Sequence, residues 1–187
     1  LTCLSELTTF KNKDGDQKKD FKLPVGWNKL KETSINTLHD GIGRITGKVN
    51  EITVFDFDNR ATFRKFFEDH KNLYLFDYYM VQSLNGYHLY FQYDESCKTG
   101  TNVMKNYEGI DIRNDGGFIT IPPTKYKCLD GSTFEYEVVN DVPLLPVPQE
   151  FKDALEKQKQ PKKTKAITKP IENIDEYDMI KELLPLL

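Results

Sequence analysis

No stretch of the 187-residue sequence approaches the ~18 consecutive apolar residues of a membrane-spanning helix, and its first residues carry no signal-peptide hydrophobic region. Membrane partners are therefore not expected. Cysteine is scarce: Cys3, Cys97 and Cys128 are an odd, widely spaced set with no CxxC pair. That spacing excludes a zinc site built on closely spaced thiols and a disulfide framework, and it favours reduced thiols in an intracellular setting. An excess of basic charge is missing too. A formal net charge of −3 argues against a protein that only coats nucleic acid, but leaves room for an enzyme whose basic surface is local.

What the sequence does have suits one compact domain with an appendage. Residues 11–20 (KNKDGDQKKD) are polar and read as a loop, and Phe21 to Trp27 as an apolar turn that closes a strand. Residues 41–46 and 51–58 are short runs rich in Ile, Val and Phe, and the Gly47-Lys48-Val49-Asn50 turn between them predicts a hairpin. Asn59 is a good N-cap for a helix over 61–70, where Phe63, Phe66 and Phe67 fall at helical spacing. A second hairpin is expected from 78–83 and 87–93 around Asn85-Gly86. A polar, partly helical stretch is expected to follow as far as Tyr107. A third hairpin is expected from 110–113 and 118–121, ended by Pro122-Pro123. Residues 134–139 read as a last strand and 151–158 as a short helix. This mixture predicts an α+β domain over residues 1–150.

Residues 151–187 read as a basic linker (QKQPKKTKAITKP) followed by the start of a helical segment over 174–184. The apolar ending Leu183-Leu184-Pro185-Leu186-Leu187 raises the expectation that the sequence is a fragment of a longer protein with a further C-terminal region.

Three constellations carry chemistry. In Val54-Phe55-Asp56-Phe57-Asp58, two carboxylates at i and i+2 of a strand share a face. Held close among apolar residues they repel, and a divalent cation bound through oxygen is the usual relief. Taken alone, the pair reads equally well as strand-end carboxylates beside a helix cap. In Ser83-Leu84-Asn85-Gly86-Tyr87-His88, the histidine sits on an apolar strand after a glycine turn, where a satisfied structural histidine is the commoner occupant. In Gly109-Ile110-Asp111-Ile112-Arg113-Asn114-Asp115-Gly116-Gly117, a third aspartate has Arg113 on its own face of the strand.

Together, a hydrophobic-flanked DxD, then a histidine after a small residue, then a further aspartate resemble the catalytic pattern of the archaeo-eukaryotic primase superfamily. The surroundings are similar to its primase-polymerase branch: Lys22-Leu23-Pro24 with Gly26-Trp27, then Gly41-Ile42-Gly43-Arg44-Ile45-Thr46-Gly47, then GIDIRNDGGFITIPPT. The resemblance covers about residues 20–125. Two departures stand out: Asn85-Gly86 replaces a glycine pair before the histidine, and no zinc-binding element is present.

The resemblance implies a mixed or antiparallel sheet with flanking helices, an RRM-like half beside a small N-terminal α/β lobe. It implies a template-directed primase/polymerase working by two-metal nucleotidyl transfer, with Asp56, Asp58 and Asp111 both catalytic and holding Mg²⁺ or Mn²⁺. It implies nucleotide contacts from His88, Arg113, Lys22, Arg44, Gly43, Gly47 and Ser83. The implied partners are single-stranded DNA template and primer, NTP or dNTP, and a C-terminal helicase of a viral or plasmid primase-helicase, acting in the cytoplasm or at a viral replication site. The alternatives are a non-catalytic nucleotide or primer-template binding module and a metal-dependent nuclease or phosphohydrolase.

Overall fold

The computed structural model describes residues 2–15, 17–29 and 41–156. In chain order the elements are β1 (Thr2–Lys11), β2 (Gln17–Lys22), β3 (Gly41–Ile45), β4 (Ile52–Phe57), α1 (Arg60–Asp69), β5 (Tyr79–Gln82), β6 (Tyr87–Gln92), β7 (Ile110–Arg113), β8 (Phe118–Ile121), β9 (Lys125–Lys127), β10 (Thr133–Glu135), β11 (Glu137–Asn140) and α2 (Gln149–Glu156). Short 3₁₀ turns lie at Trp27–Lys29 and Leu75–Asp77. No described helix is long and apolar enough to cross a membrane.

The strands form a five-stranded sheet in the order β11-β5-β6-β4-β7, a four-stranded sheet β2-β1-β3-β8, and a small β9–β10 ribbon. Every described pairing is antiparallel, and the fold is α+β. The centre of the large sheet follows from the sequence of β4. Ile-Thr-Val-Phe-Asp-Phe is buried along its whole length, the signature of a strand covered on both faces. Phe55 and Phe57 point to the helical layer, where they meet Phe63 and Phe66 of α1 and Phe151 of α2. Ile52 and Val54 point the other way, toward Ile119, Tyr126 and Tyr136 and the smaller sheet. The face of the large sheet that carries Asp56 is the one turned to its neighbour sheet.

α1 begins where expected. The Asn59 side-chain oxygen accepts the Ala61 and Thr62 N–H groups at 2.7 and 3.2 Å. α2 spans residues 149–156, overlapping the helix expected over 151–158, with fully buried Phe151 in the aromatic core. The linker and the helix expected over 174–184 lie outside the described residues.

Several local expectations are corrected. Residues 11–20 are not one loop: β1 and β2 pair across a tight turn, with Lys11 opposite Gln17 and Phe10 opposite Lys18. The runs at 41–46 and 51–58 do not form a hairpin. β3 pairs with β1 and β8, while β4 pairs with β6 and β7 in the other sheet. Only a single bridge, Gly47 to Ile52, joins the two runs. β7 and β8 likewise enter different sheets instead of pairing together.

The reason is shared. The 47–50 and 114–117 turns are crossovers between sheets, and they pack on each other. Thr46 Oγ1 donates to the Asn114 carbonyl at 2.7 Å, and Lys48 N–H donates to Asp115 Oδ1 at 2.8 Å. Asn114 Nδ2 ties the second turn to the carbonyls of Asp94 and Cys97. The stretch 94–107 is turns without helix, and the strand expected at 134–139 is broken at buried Tyr136 into β10 and β11. The hairpin around Asn85-Gly86 forms as expected.

Candidate active site

The register of the large sheet assembles the site. Asp56 on β4 lies directly opposite His88 on β6 and Asp111 on β7. All three are buried. Asp58, two residues beyond Asp56, is half-buried at the mouth, its N–H held by the Gly109 carbonyl at 2.8 Å. Arg113 shares the face of Asp111: its Nη2 donates to Asp111 Oδ2 at 2.7 Å and lies 3.7 Å from Asp56 Oδ2. Asp111 Oδ1 accepts the Asn102 N–H at 2.9 Å. His88 Nε2 lies 3.3 Å from Asp56 Oδ1, but the two are not aligned as a hydrogen bond, and both atoms are buried without one.

Asp56, Asp58, His88 and Arg113 line a cleft of about 290 Å³ between the two sheets, with Asp111 buried behind Arg113. Its opposite wall supplies Lys18 and Lys19 from β2, with Asn85, Phe118 and Thr120 around them. Lys19 is fixed in place: Nζ donates to the Tyr136 hydroxyl at 2.8 Å. Asn85 Nδ2 donates to the Gln17 carbonyl at 3.1 Å, tying the β5–β6 turn to β2. One wall of the cleft is thus anionic and the other cationic.

The carboxylates titrate apart. Burial pushes the Asp56 carboxyl up, but His88, with Lys19 and Arg113 behind it, outweighs burial and holds it well below the usual range. Asp58 is pushed up to about 6, by burial and then by the charge of Asp56, with Asp111 adding and the two lysines opposing. Asp111 is raised chiefly by burial, against the Asn102 N–H and Arg113.

For Asp58 the sign is a penalty. A carboxyl raised in the fold binds its proton more tightly there than in the unfolded chain, so its contribution to stability falls as pH rises from about 4 through about 6. The expected result, in chelator, is that Asp58→Asn matches wild type near pH 4 and unfolds at a higher temperature than wild type above pH 6. A difference that does not change with pH would contradict this account.

Of the other residues singled out in the sequence, few reach the cleft. Lys22 is exposed at the end of β2. Gly43 is buried opposite Thr120, which lines the cleft. Gly47 has φ +88°, and a Cβ there would come 2.6 Å from the Asp115 Cα, so its role is the crossover. Ser83 closes the β5–β6 turn, its Oγ accepting the Gly86 N–H at 3.1 Å. Arg44 lines a different cavity. Conversely, Lys18 and Lys19 were hidden inside a polar stretch, and their only sequence signal is the adjacent, strand-compatible Phe21.

Among the described residues no three His, Cys, Asp or Glu side chains converge into a ready-made cation cage. The donor chemistry still suits a hard divalent ion. Asp56 Oδ1 is a buried oxygen with no hydrogen-bond partner, and Asp58 bears a charge that its neighbours disfavour.

A carboxylate-lined cleft between two sheets, with lysines facing the carboxylates, defines an acidic site suited to phosphate chemistry. Residues 10–150 match the family of bifunctional DNA primase/polymerase N-terminal domains (Prim-Pol), and the chain belongs to that family. No curated protein matches the chain at a significant level.

Proposed function

We propose that this domain is a template-directed DNA primase/polymerase that extends a primer by two-metal nucleotidyl transfer. The observation that carries the reading is the in-register row His88–Asp56–Asp111, with Asp58 at its mouth and Lys18 and Lys19 across the cleft. Asp56, Asp58 and Asp111 would hold Mg²⁺ or Mn²⁺, which supplies the Lewis acidity that activates a 3′-hydroxyl and neutralises a leaving pyrophosphate.

The residues do the rest. Lys18 and Lys19 draw the triphosphate in and hold it against the acidic wall. Arg113 is placed as a forked donor for phosphate oxygens when it turns from Asp111, and it keeps Asp111 oriented until then. His88, lodged beside Asp56, limits the freedom of that carboxylate and offers a ring nitrogen to the nucleotide. Anionic and cationic walls facing one another across the cleft position a triphosphate and offset its charge, which is what an in-line displacement at phosphorus needs.

Residues 1–150 would be the catalytic domain and 151–187 the path to a C-terminal helicase. The test is primer synthesis on single-stranded DNA with NTPs or dNTPs and Mg²⁺ or Mn²⁺. Template-dependent products are expected, and their absence from well-folded protein would overturn the reading.

A further inference from the structure

β6 serves two cavities on one face. His88 turns to the carboxylate cleft, and Tyr90, about 6.6 Å further along the strand, lines a second cavity of about 380 Å³ that shares no lining residue with the first. Its walls are largely apolar, with Tyr79, Pro122 and Leu144 among them. Three polar groups stand out. The Tyr90 hydroxyl is buried with no hydrogen-bond partner, in a residue only 4% exposed. Arg44 and Asp141 both line the cavity, and among the described residues neither forms an ion pair. Buried hydroxyls are normally satisfied, and a ligand atom entering the cavity that Tyr90 lines would supply the missing partner.

We propose that this cavity is a binding pocket for one guanine base. The cavity is large enough for a flat ring, and Tyr79, Pro122 and Leu144 offer apolar surface to cover it. The edge is selected by charge. Arg44 is a forked donor, and guanine presents O6 and N7 as a paired acceptor. Asp141 is an acceptor, and guanine presents N1–H and N2–H as donors. Adenine lacks the paired acceptor, while cytosine and thymine lack the purine edge that an arginine grips. Tyr90 completes the set as a donor or acceptor to the ring edge or sugar.

The base can come from a single strand or from a free guanine nucleotide. The strand source rests on the primase/polymerase reading, whereas the chemistry of the pocket does not. It also gives a role to Arg44, which lies outside the catalytic cleft.

The test is fluorescence anisotropy with labelled oligothymidylate carrying one central guanine, one adenine, or neither, without dNTP or divalent metal. GMP and CMP serve as competitors. A guanine preference of about tenfold is expected, falling to about one in Arg44→Ala and in Asp141→Asn. Should the strands show no preference while GMP binds wild type and not Arg44→Ala, the pocket serves a free nucleotide and the proposal holds. Equal binding of all strands and no GMP binding would overturn it, as would a guanine preference that survives both substitutions.

Tyr90→Phe gives a second readout. It should raise the unfolding midpoint of the free protein by a few degrees, because it removes an unsatisfied hydroxyl, and should weaken guanine binding. A lowered midpoint with unchanged guanine binding would count against the pocket. Failure of primer synthesis alongside a retained guanine preference would remove the catalytic reading and leave this one standing.

Discussion

Asp56→Asn and Asp58→Asn are each expected to lose template-directed incorporation, on the order of 10³-fold in kcat/KM, and to differ from one another in stability. Both substitutions keep the side-chain shape and remove the anionic oxygen that a divalent cation needs. Their energetic settings are opposite. Asp56 is held ionised by His88, Lys19 and Arg113, so its charge is part of what balances those groups in the fold. Removing it takes one counter-charge away from Lys19 and Arg113, a loss of roughly 3 kcal/mol above about pH 4, where the carboxyl of the unfolded chain is ionised as well. Asp58 is raised to about 6 by burial and by Asp56, so above that pH its ionisation costs the fold up to about 3 kcal/mol. Asp58→Asn is therefore expected to be inactive and more stable, and Asp56→Asn inactive and less stable. Single-nucleotide extension of a primed template with Mn²⁺, beside thermal unfolding at pH 7.5, measures both. Full incorporation by either variant would remove the metal-site assignment.

Much of this site was legible because its logic is local. The i, i+2 spacing of Asp111 and Arg113 puts that pair on one strand face in any sheet, and the same spacing carries Asp58 just past the end of β4 into the cleft that Asp56 lines. The capping asparagine and the Asn-Gly turn are likewise set by neighbours in sequence. What could not be read was pairing at a distance. Two runs separated by a glycine turn look like a hairpin whether they pair together or diverge, and here both the 47–50 and the 114–117 turns carry the chain between sheets. The decision rests on which strands can bury both faces. β4 can, so it takes the centre of the large sheet between β6 and β7.

The cationic wall was lost for the same reason. QKKDFK has the composition of a loop, and becomes a strand only through β1, whose partner residues precede it across a tight turn. Arg44 is the converse case. Its motif was legible, but its side chain lines another cavity.

Gly86→Ala is expected to unfold or deeply destabilise the domain, by roughly 3 kcal/mol or more, while Asn85→Gly is tolerated. The motif before His88 carries one glycine where the family pattern has two, and the geometry explains which one is indispensable. Asn85 does not adopt a positive φ, so its position makes no demand for glycine, and its amide instead bonds the Gln17 carbonyl. Gly86 is needed for space. A Cβ there would fall inside the Phe57 carbonyl oxygen, 2.9 Å from the Phe57 carbonyl carbon and 3.0 Å from the Asn59 nitrogen. Those atoms are backbone and flank Asp58, so the clash can be relieved only by moving the end of β4 and the helix cap. The carboxylate of Asp58 would move with them, and catalysis would be lost in any fraction that still folds. Gly116→Ala is the control. Its φ of +73° makes an alanine strained, but no atom lies within 4 Å of the added carbon, so the cost should be about 1 kcal/mol with activity retained. Chemical denaturation of the two variants separates close approach from backbone strain. Equal losses at the two positions would show that the β5–β6 turn is not pressed against the end of β4 as described.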